Sequence, residues 1–445
     1  MFHVKQNGAR ETIFALATAP AKAGVAVVRV SGPDAGCAVA ALCRQSLEHR
    51  MMTFVTLRAP DTGRVLDRCL AVYFTGPQSF TGEDVLELHL HGSLAVISDV
   101  LGALATLPNF RGAEAGEFTR RAFDNGKLDL TSVEALADLI AAETEKQKDL
   151  ALRQGDGALM ALFDSWGERL LTALSHEEAA IDFAEEDDIA HLHEDTTARR
   201  IVDLATEIDE MTRQAWRGER LRDGFRVAVV GPPNAGKSSL VNALVRRDVS
   251  IVSRIPGTTR DVVEGQIDLG GYAVTFADTA GLRATDDEVE LEGIRRAHSW
   301  VERADCVITV SDGRGPESGH GPQDEDVRPW LHVRTHSDLV SPSDRGPGLW
   351  TSVRTGEGLA ELEAALLEAI QGENPALESP VPSRARQVSL LRETSALLRQ
   401  AAQLPAGEVR AELLRQASAS LGRLTGRTYV SDVLDQIFSE FCIGK

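Results

Sequence analysis

Residues 231–238 read Gly-Pro-Pro-Asn-Ala-Gly-Lys-Ser, which fits the pattern G-x-x-x-x-G-K-[ST]. The run follows the apolar stretch Phe225–Val230 and precedes the helical stretch Ser239–Arg247. A strand, a glycine-rich turn and a helix in that order commit the surrounding chain to a parallel sheet with crossover helices. Gly231 and Gly236 let the backbone turn so that N–H groups face phosphate oxygens. Lys237 would reach the outer phosphates, and Ser238 would offer its hydroxyl to Mg²⁺. Asn234, Ala235 and Ser239 complete this nucleotide-binding stretch.

The rest of the 445-residue chain has room for two to four domains. Residues 12–90 read as β-rich, with Gly24–Val30 and Leu70–Phe74 as short runs bounded by Gly, Pro and Ser. Residues 118–220 turn helical; within Leu128–Thr144, Leu136, Leu139 and Ile140 recur at helical spacing. From Phe225 strand and helix alternate, and Ala273–Ala277 and Cys306–Val310 read as further buried strands. Gly313–Pro329 reads as an exposed loop, Asn374–Pro382 as a Pro-marked linker, and Gln387–Phe441 as helical again. An α/β unit is thus expected inside a helical region, with its two ends close together as a domain insertion requires.

The charge balance, 47 Lys plus Arg against 67 Asp plus Glu, gives a net −20 and excludes an all-over basic surface for nucleic acid. No apolar run approaches the ~18–20 residues of a membrane span, and the first residues lack the apolar core of a secretory signal. Five scattered cysteines, none spaced as Cys-x-x-Cys, argue against a disulfide framework or a Cys-rich zinc site. A cytoplasmic protein that does not enter a membrane is expected. His191 and His193, two positions apart, do not share a helix face and read as part of a solvated acidic face.

Further motifs follow the glycine-rich loop in order. Asp278-Thr279-Ala280-Gly281 ends an apolar run; its Asp can meet the Mg²⁺ shell and its Gly can offer an N–H to the terminal phosphate. Between the two lies Gly257-Thr258-Thr259, where a switch loop would supply Thr259 as a second Mg²⁺ ligand. This order resembles the GTP-binding domain of translation-factor-like GTPases. Where that pattern has Asn-Lys-x-Asp, the chain reads Thr335-His336-Ser337-Asp338. Asp338 can still accept two hydrogen bonds from guanine, but Thr335 lacks the Asn amide and His336 lacks the Lys stem. Ser352-Val353-Arg354 matches the last guanine loop, whose contact is a backbone N–H. GTP should still beat ATP, with weaker binding than Asn-Lys-x-Asp would give.

Hydrolysis needs a group to orient water and neutralise charge. The place directly after Asp278–Gly281 holds Leu282, which can do neither. The nearby candidates are Arg283 and the acidic run Asp286–Glu290, although acids at that spacing also read as a solvated helix start.

The glycine-rich loop, Gly257-Thr-Thr-Arg-Asp261 and the terminal Phe441-Cys-Ile-Gly-Lys445 together resemble the MnmE/TrmE family of tRNA-modification GTPases. So do Ser79-Phe-Thr-Gly-Glu-Asp84, Glu87-Leu-His-Leu-His-Gly92, Gly116-Glu-Phe-Thr-Arg-Arg-Ala-Phe123, Asn125-Gly-Lys-Leu-Asp129 and Ile181-Asp-Phe-Ala-Glu-Glu-Asp187. The departures are Ala115 for the usual Pro, Ser93 for a second Gly, and Thr335-His336.

The resemblance implies a multidomain α/β chain. Its parts are a β-rich α+β tetrahydrofolate-binding and dimerisation domain at 1–124, a discontinuous helical domain at 125–222 and 374–445, and an inserted Ras-like P-loop GTPase domain at 223–373. It implies a homodimer that works with an FAD-dependent partner, MnmG or GidA, in a heterotetramer, with FAD on the partner. Together they would add a carboxymethylaminomethyl or aminomethyl group to C5 of the wobble uridine of certain tRNAs, drawing on a 5-formyl- or methylene-tetrahydrofolate.

By the same resemblance, Asn234, Ser253, Ile255 and Thr258 would hold K⁺ where an arginine finger acts elsewhere, within the nucleotide-binding loop Ser253-Arg254-Ile255-Pro256-Gly257-Thr258. Glu290 would orient the catalytic water indirectly. Arg29, Glu87, Lys127 and the terminal Lys445 match the folate positions, and Cys442 the thiol implicated in modification. A reading from another class stays open, a GTP-gated interaction switch, for instance in ribosome assembly, without modification chemistry of its own. Such a switch would need neither the folate-type residues nor Cys442.

Overall fold

The computed structural model describes residues 11–182, 187–247, 264–278, 300–315, 330–373, 380–428, 431–439, 441, 443 and 444. The chain divides into two units: Met1–Ala137 with Gly422–Lys445, and Asp138–Leu421.

The first unit is built on β1 (Thr12–Leu16), β2 (Ala23–Ser31), β3 (Thr53–Arg58), β4 (Val65–Phe74), β5 (Val85–Gly92) and β6 (Phe110–Gly112). They form one sheet in the order β3-β4-β5-β2-β1-β6. β1 and β6 pair in parallel and the other neighbours antiparallel. Side chains alternate between faces along each strand. In β5, Leu86, Leu88 and Leu90 join Val28, Val30, Val55 and Leu57 in the core, with Val100 and Leu104 of the helix Leu94–Ala105. The alternate residue Glu87 lies opposite Arg29 on the other face.

The end of the chain completes this unit. Ile437 and Phe438 of the helix Ser431–Ser439, with Phe441, pack on Phe123, Leu130 and Val133. Gly116 sits in the left-handed region at φ 67°, and a Cβ there would lie 2.3 Å from the Phe438 carbonyl oxygen, so this approach excludes a side chain. Ile443 bridges to Ala115.

The second unit contains the long helices Ala158–Asp182, Asp187–Asp223 and Ala385–Ala402. Trp166 is fully buried, and its indole N–H donates to Glu207 at 2.8 Å. The helical reading of Leu128–Thr144 is shortened to Leu130–Ala141. Asp129 accepts from the Ser132 N–H at 2.8 Å at its start. Past its end, Thr144 and Gln147 form a capping box that opens a new helix, Glu145–Gly155. The linker Asn374–Pro382 ends pinned: Val381 to Arg384 are buried, and Gln154 donates to the Val381 carbonyl at 3.0 Å.

The same unit carries a second sheet of β7 (Phe225–Val230), β8 (Glu264–Leu269), β9 (Tyr272–Asp278), β10 (Cys306–Asp312), β11 (Trp330–Thr335) and β12 (Leu349–Trp350). Its order is β12-β11-β10-β7-β9-β8, parallel except for the β8–β9 hairpin. β7, β9 and β10 are the three runs read as buried strands in the sequence. After β7 the chain builds β9 on one side and then β10 on the other. Ligands of open α/β sheets bind at such a reversal, outside the carboxyl ends of the strands.

Candidate nucleotide-binding and active site

Every described element of the nucleotide motifs lies at those carboxyl ends. Strand register brings Val229 level with Asp278, Thr309 with Val230, Asp312 with Thr335, and Arg334 with Trp350. The glycine-rich loop therefore leaves β7 between the end of β9 and the end of β10. Gly231 has φ 148°, and a Cβ would lie 2.1 Å from the Val310 carbonyl oxygen. Gly236, at φ 88°, opens the helix Lys237–Arg247. Asn234 also adopts the left-handed conformation, φ 64°. These turns point N–H groups at a helix N-terminus, where an anion is favoured. Lys237 is buried, and its ammonium donates to the Gly231 and Pro232 carbonyls at 2.8 Å each. Ser238 is half-buried in the first turn, while Ser239 is exposed.

The two loops that match base-reading motifs in the sequence converge on the same edge. Ser337–Leu339 forms a short 3-10 turn after β11, and the Ser352 hydroxyl donates to Asp338 at 2.7 Å. That bond, with Arg354 3.4 Å away, holds the Asp338 carboxyl below the usual carboxylate range. Ser352 is buried and its N–H donates to the Glu357 carbonyl at 2.9 Å, whereas Val353 and Arg354 are exposed. Glu357 accepts from the Ser337 hydroxyl at 2.7 Å and pairs with Arg345 at 2.6 Å, so both loops share one brace.

Thr335 behaves differently from the expectation drawn from its type. It is buried, and its hydroxyl donates to the Ala235 carbonyl of the glycine-rich loop at 2.8 Å. The tie that an Asn amide would make to that loop is made by a hydroxyl instead. Asp312, which no sequence motif marks, ends β10 beside His336, 3.3 Å from its Nδ1.

Ser253, Arg254, Ile255, Pro256, Gly257, Thr258, Thr259, Thr279, Ala280, Gly281, Arg283 and Glu290 lie outside the described residues, as do Cys442 and Lys445. Asp278 is placed by its backbone at the end of β9. Among the described residues no cluster of His, Cys, Asp and Glu could by itself hold a metal ion, and no helix is long and apolar enough to cross a membrane.

In the first unit, Arg29 and Glu87 form a half-buried pair, with Nε and Nη2 both 2.8 Å from Glu87 Oε1. The guanidinium lies 5.4 Å from the centre of the Phe80 ring and 5.8 Å from that of Phe118. His89, two residues along β5, has a buried Nε2 without a hydrogen-bond partner, 3.9 Å from Glu87 Oε2. Lys127 donates to the Pro77 carbonyl at 3.0 Å.

A parallel sheet that carries G-x-x-x-x-G-K-S at its strand reversal, with an Asp-bearing base loop beside it, is the architecture of a P-loop GTPase. The MnmE helical domain model matches residues 130–442, and the model described as GTP-binding protein TrmE N-terminus matches residues 12–127. The chain is 48% identical over 455 residues to the tRNA modification GTPase MnmE of Rhodospirillum rubrum, covering 98% of this chain and 99% of that one. It is 50% identical over 446 residues to the protein of that name from Parvibaculum lavamentivorans, covering 98% and 100%. Against the human 5-taurinomethyluridine-[tRNA] synthase subunit GTPB3, mitochondrial, identity is 46% over 464 residues, covering 98% and 94%. The chain belongs to the MnmE family of tRNA modification GTPases: it is a GTP hydrolase that takes part in tRNA modification.

Proposed function

We propose that this GTPase is activated by K⁺ and that, as a cytoplasmic homodimer working with an FAD-dependent partner of the MnmG type, it modifies C5 of the wobble uridine. The group added is carboxymethylaminomethyl or aminomethyl. A bound tetrahydrofolate derivative would supply the one-carbon unit.

The observation that carries this reading is the docking of the chain's end on the unit that contains Arg29 and Glu87. Phe441 shares a buried cluster with Phe123, Ile443 bridges to Ala115, and a Cβ at Gly444 would lie 2.2 Å from the Leu16 carbonyl oxygen. Leu16 ends β1, where the preceding Ala15 pairs with Arg29. Gly444 thus lies against the end of β1, the strand paired with the one that carries Arg29.

The residues present fit a pterin with a glutamate tail. Glu87 Oε2 and the orphaned His89 Nε2 offer hydrogen-bonding edges, Phe80 offers a ring, and Arg29 and Lys127 offer positive charge. Lys445 would add a further cation from the tail. Glu87, fixed by Arg29, would orient the ligand, and Phe80 and Phe118 would limit water.

At the nucleotide, Lys237 would turn from its loop carbonyls to the outer phosphates. Ser238, Thr259 and the Asp278 shell would hold Mg²⁺. Asn234, which adopts a left-handed turn, would give K⁺ a side-chain oxygen beside the phosphates, with Ser253, Ile255 and Thr258. Glu290 would orient the water, and Arg283 remains a second candidate for that region. The full base site would comprise Thr335, His336, Ser337, Asp338, Ser352, Val353 and Arg354.

Wobble-uridine analysis of a deletion strain tests the proposal. Complementation by wild type should restore the modified base, while Glu87→Ala should restore GTP turnover but not the base. Restoration of the base by Glu87→Ala would remove the one-carbon role, and absence of any wobble-uridine change in the deletion strain would favour the interaction switch.

A further inference from the structure

The base loop departs from Asn-Lys-x-Asp at two adjacent positions, and the structure couples them. The Thr335 hydroxyl has one hydrogen. Its polar neighbours are the Ala235 carbonyl at 2.8 Å, the Ser311 carbonyl at 3.2 Å and His336 Nδ1 at 3.1 Å. The shortest of these contacts, to the Ala235 carbonyl, which can only accept, takes the hydroxyl hydrogen. His336 Nδ1 must then be the donor towards Thr335 Oγ1. The same nitrogen lies 3.3 Å from Asp312 Oδ1, a second acceptor, which fixes the same tautomer.

Asp312 is itself locked. Arg314 Nε is 3.0 Å from its Oδ1 and Arg314 Nη2 is 2.7 Å from its Oδ2, and these bonds hold the carboxyl far below the usual range. His336 has a left-handed backbone, φ 60°, one residue after Thr335 and two before Asp338. The ring is therefore gripped along one edge by the ends of β10 and β11, within the loop whose Asp338 would read guanine.

We infer that the His336 ring, clamped through Nδ1 by Thr335 and Asp312, supplies the flat surface that covers the guanine plane, in place of an aliphatic stem. The inference rests on the nucleotide-site reading above and adds how this chain holds the base. Base stacking on a flat side chain does not depend on the phosphates, so GTP and GDP should benefit equally. A stacked base contributes about 1–3 kcal/mol, and the lower end corresponds to about fivefold in affinity.

Fluorescent GTP and GDP analogues titrated against three full-length variants test this. His336→Gly keeps the left-handed backbone without strain while removing the ring, and its melting curve checks the fold. It should weaken GTP and GDP alike by about fivefold or more. His336→Phe, which restores a ring without the nitrogen, should recover most of that loss. Asp338→Asn is the control for the site: an Asn amide complements the extra carbonyl of xanthine, so preference should move from GTP to XTP. If that preference moves and His336→Gly still binds within about twofold of wild type, the ring does not cover the base. A loss for GTP alone, or no recovery with Phe, also overturns the inference. If Asp338→Asn gains nothing for XTP, the reading of the base site fails, and this inference fails with it.

Discussion

Arg410 and Glu177 form an ion pair with almost no solvent contact: Nη2 lies 2.5 Å from Glu177 Oε2, and the side chains are 2% and 1% exposed. The other carboxylate oxygen accepts the Gly407 N–H at 2.6 Å, so the pair also fastens the entry to the helix Glu408–Thr425. Removing one partner leaves a buried charge uncompensated, which costs about 3–5 kcal/mol. Glu177→Ala should therefore lower the denaturation midpoint strongly, read by circular dichroism in urea. Replacing both partners by apolar residues should recover much of the loss. A single mutant as stable as wild type would show that the pair is solvated in solution.

Thr335→Val keeps the shape of the side chain and removes the bond to the Ala235 carbonyl. A buried carbonyl left without its donor costs about 1–3 kcal/mol. Nucleotide affinity should fall by about tenfold, because the glycine-rich loop loses its anchor to β11. Thr335→Ser, which keeps the hydroxyl, should stay near wild type. Equilibrium titration with a fluorescent GDP analogue distinguishes the two. The double change Thr335→Asn with His336→Lys should tighten GTP less than the residue types alone suggest, since the tie already exists.

The class of the second unit was legible in residues 225–238, because a buried strand followed by a glycine-rich turn admits few continuations. Three of its strands could be read from apolar runs. The placement of β9 and β10 on opposite sides of β7 could not, since pairing between distant segments leaves no local trace. For the same reason nothing local announced that residues 422–445 pack with the first 137, or that Arg121 reaches Glu83, Glu117 and the Glu11 carbonyl from inside that unit. The role of Thr335 was hidden differently: its type departs from the motif, and only the geometry reveals what its hydroxyl does. The pinned end of the linker was hidden by its prolines, which signal a turn whether or not it is buried.

K⁺ should accelerate GTP hydrolysis where Na⁺ does not. Leu282 stands where a water-orienting side chain is found in Ras-like proteins, and Asn234 already holds the turn that would offer an oxygen to the ion. An arginine finger contributes ~10³–10⁵ in rate, and a cation in its place should supply part of that. Turnover compared in KCl and NaCl at matched ionic strength decides it; equal rates would end the idea.

Glu290→Ala should abolish most hydrolysis and leave nucleotide binding nearly intact, because a group that orients the attacking water acts in the transition state. Parallel measurement of kcat and of GDP affinity separates this from a structural role, in which both would fall.

Cys442→Ser should leave GTP turnover near normal and stop wobble-uridine modification. The groups proposed for hydrolysis fall within residues 231–290, in the other unit. Mass spectrometry of tRNA from a strain that carries only the mutant would reveal wild-type levels of the modified base if the thiol had no chemical part.

The first unit is assembled from residues 1–137 and 422–445, with all of Asp138–Leu421 made in between. During synthesis at about 5–20 residues per second, the helical segment with Phe123, Leu130 and Val133 must wait on the order of tens of seconds for Ile437, Phe438 and Phe441 to arrive. Until then Phe123, Leu130 and Val133 lack their partners and present apolar surface of the kind that chaperones bind. A chain cut short anywhere in the second unit would never acquire the tail, and would keep that apolar surface uncovered however well its other parts folded.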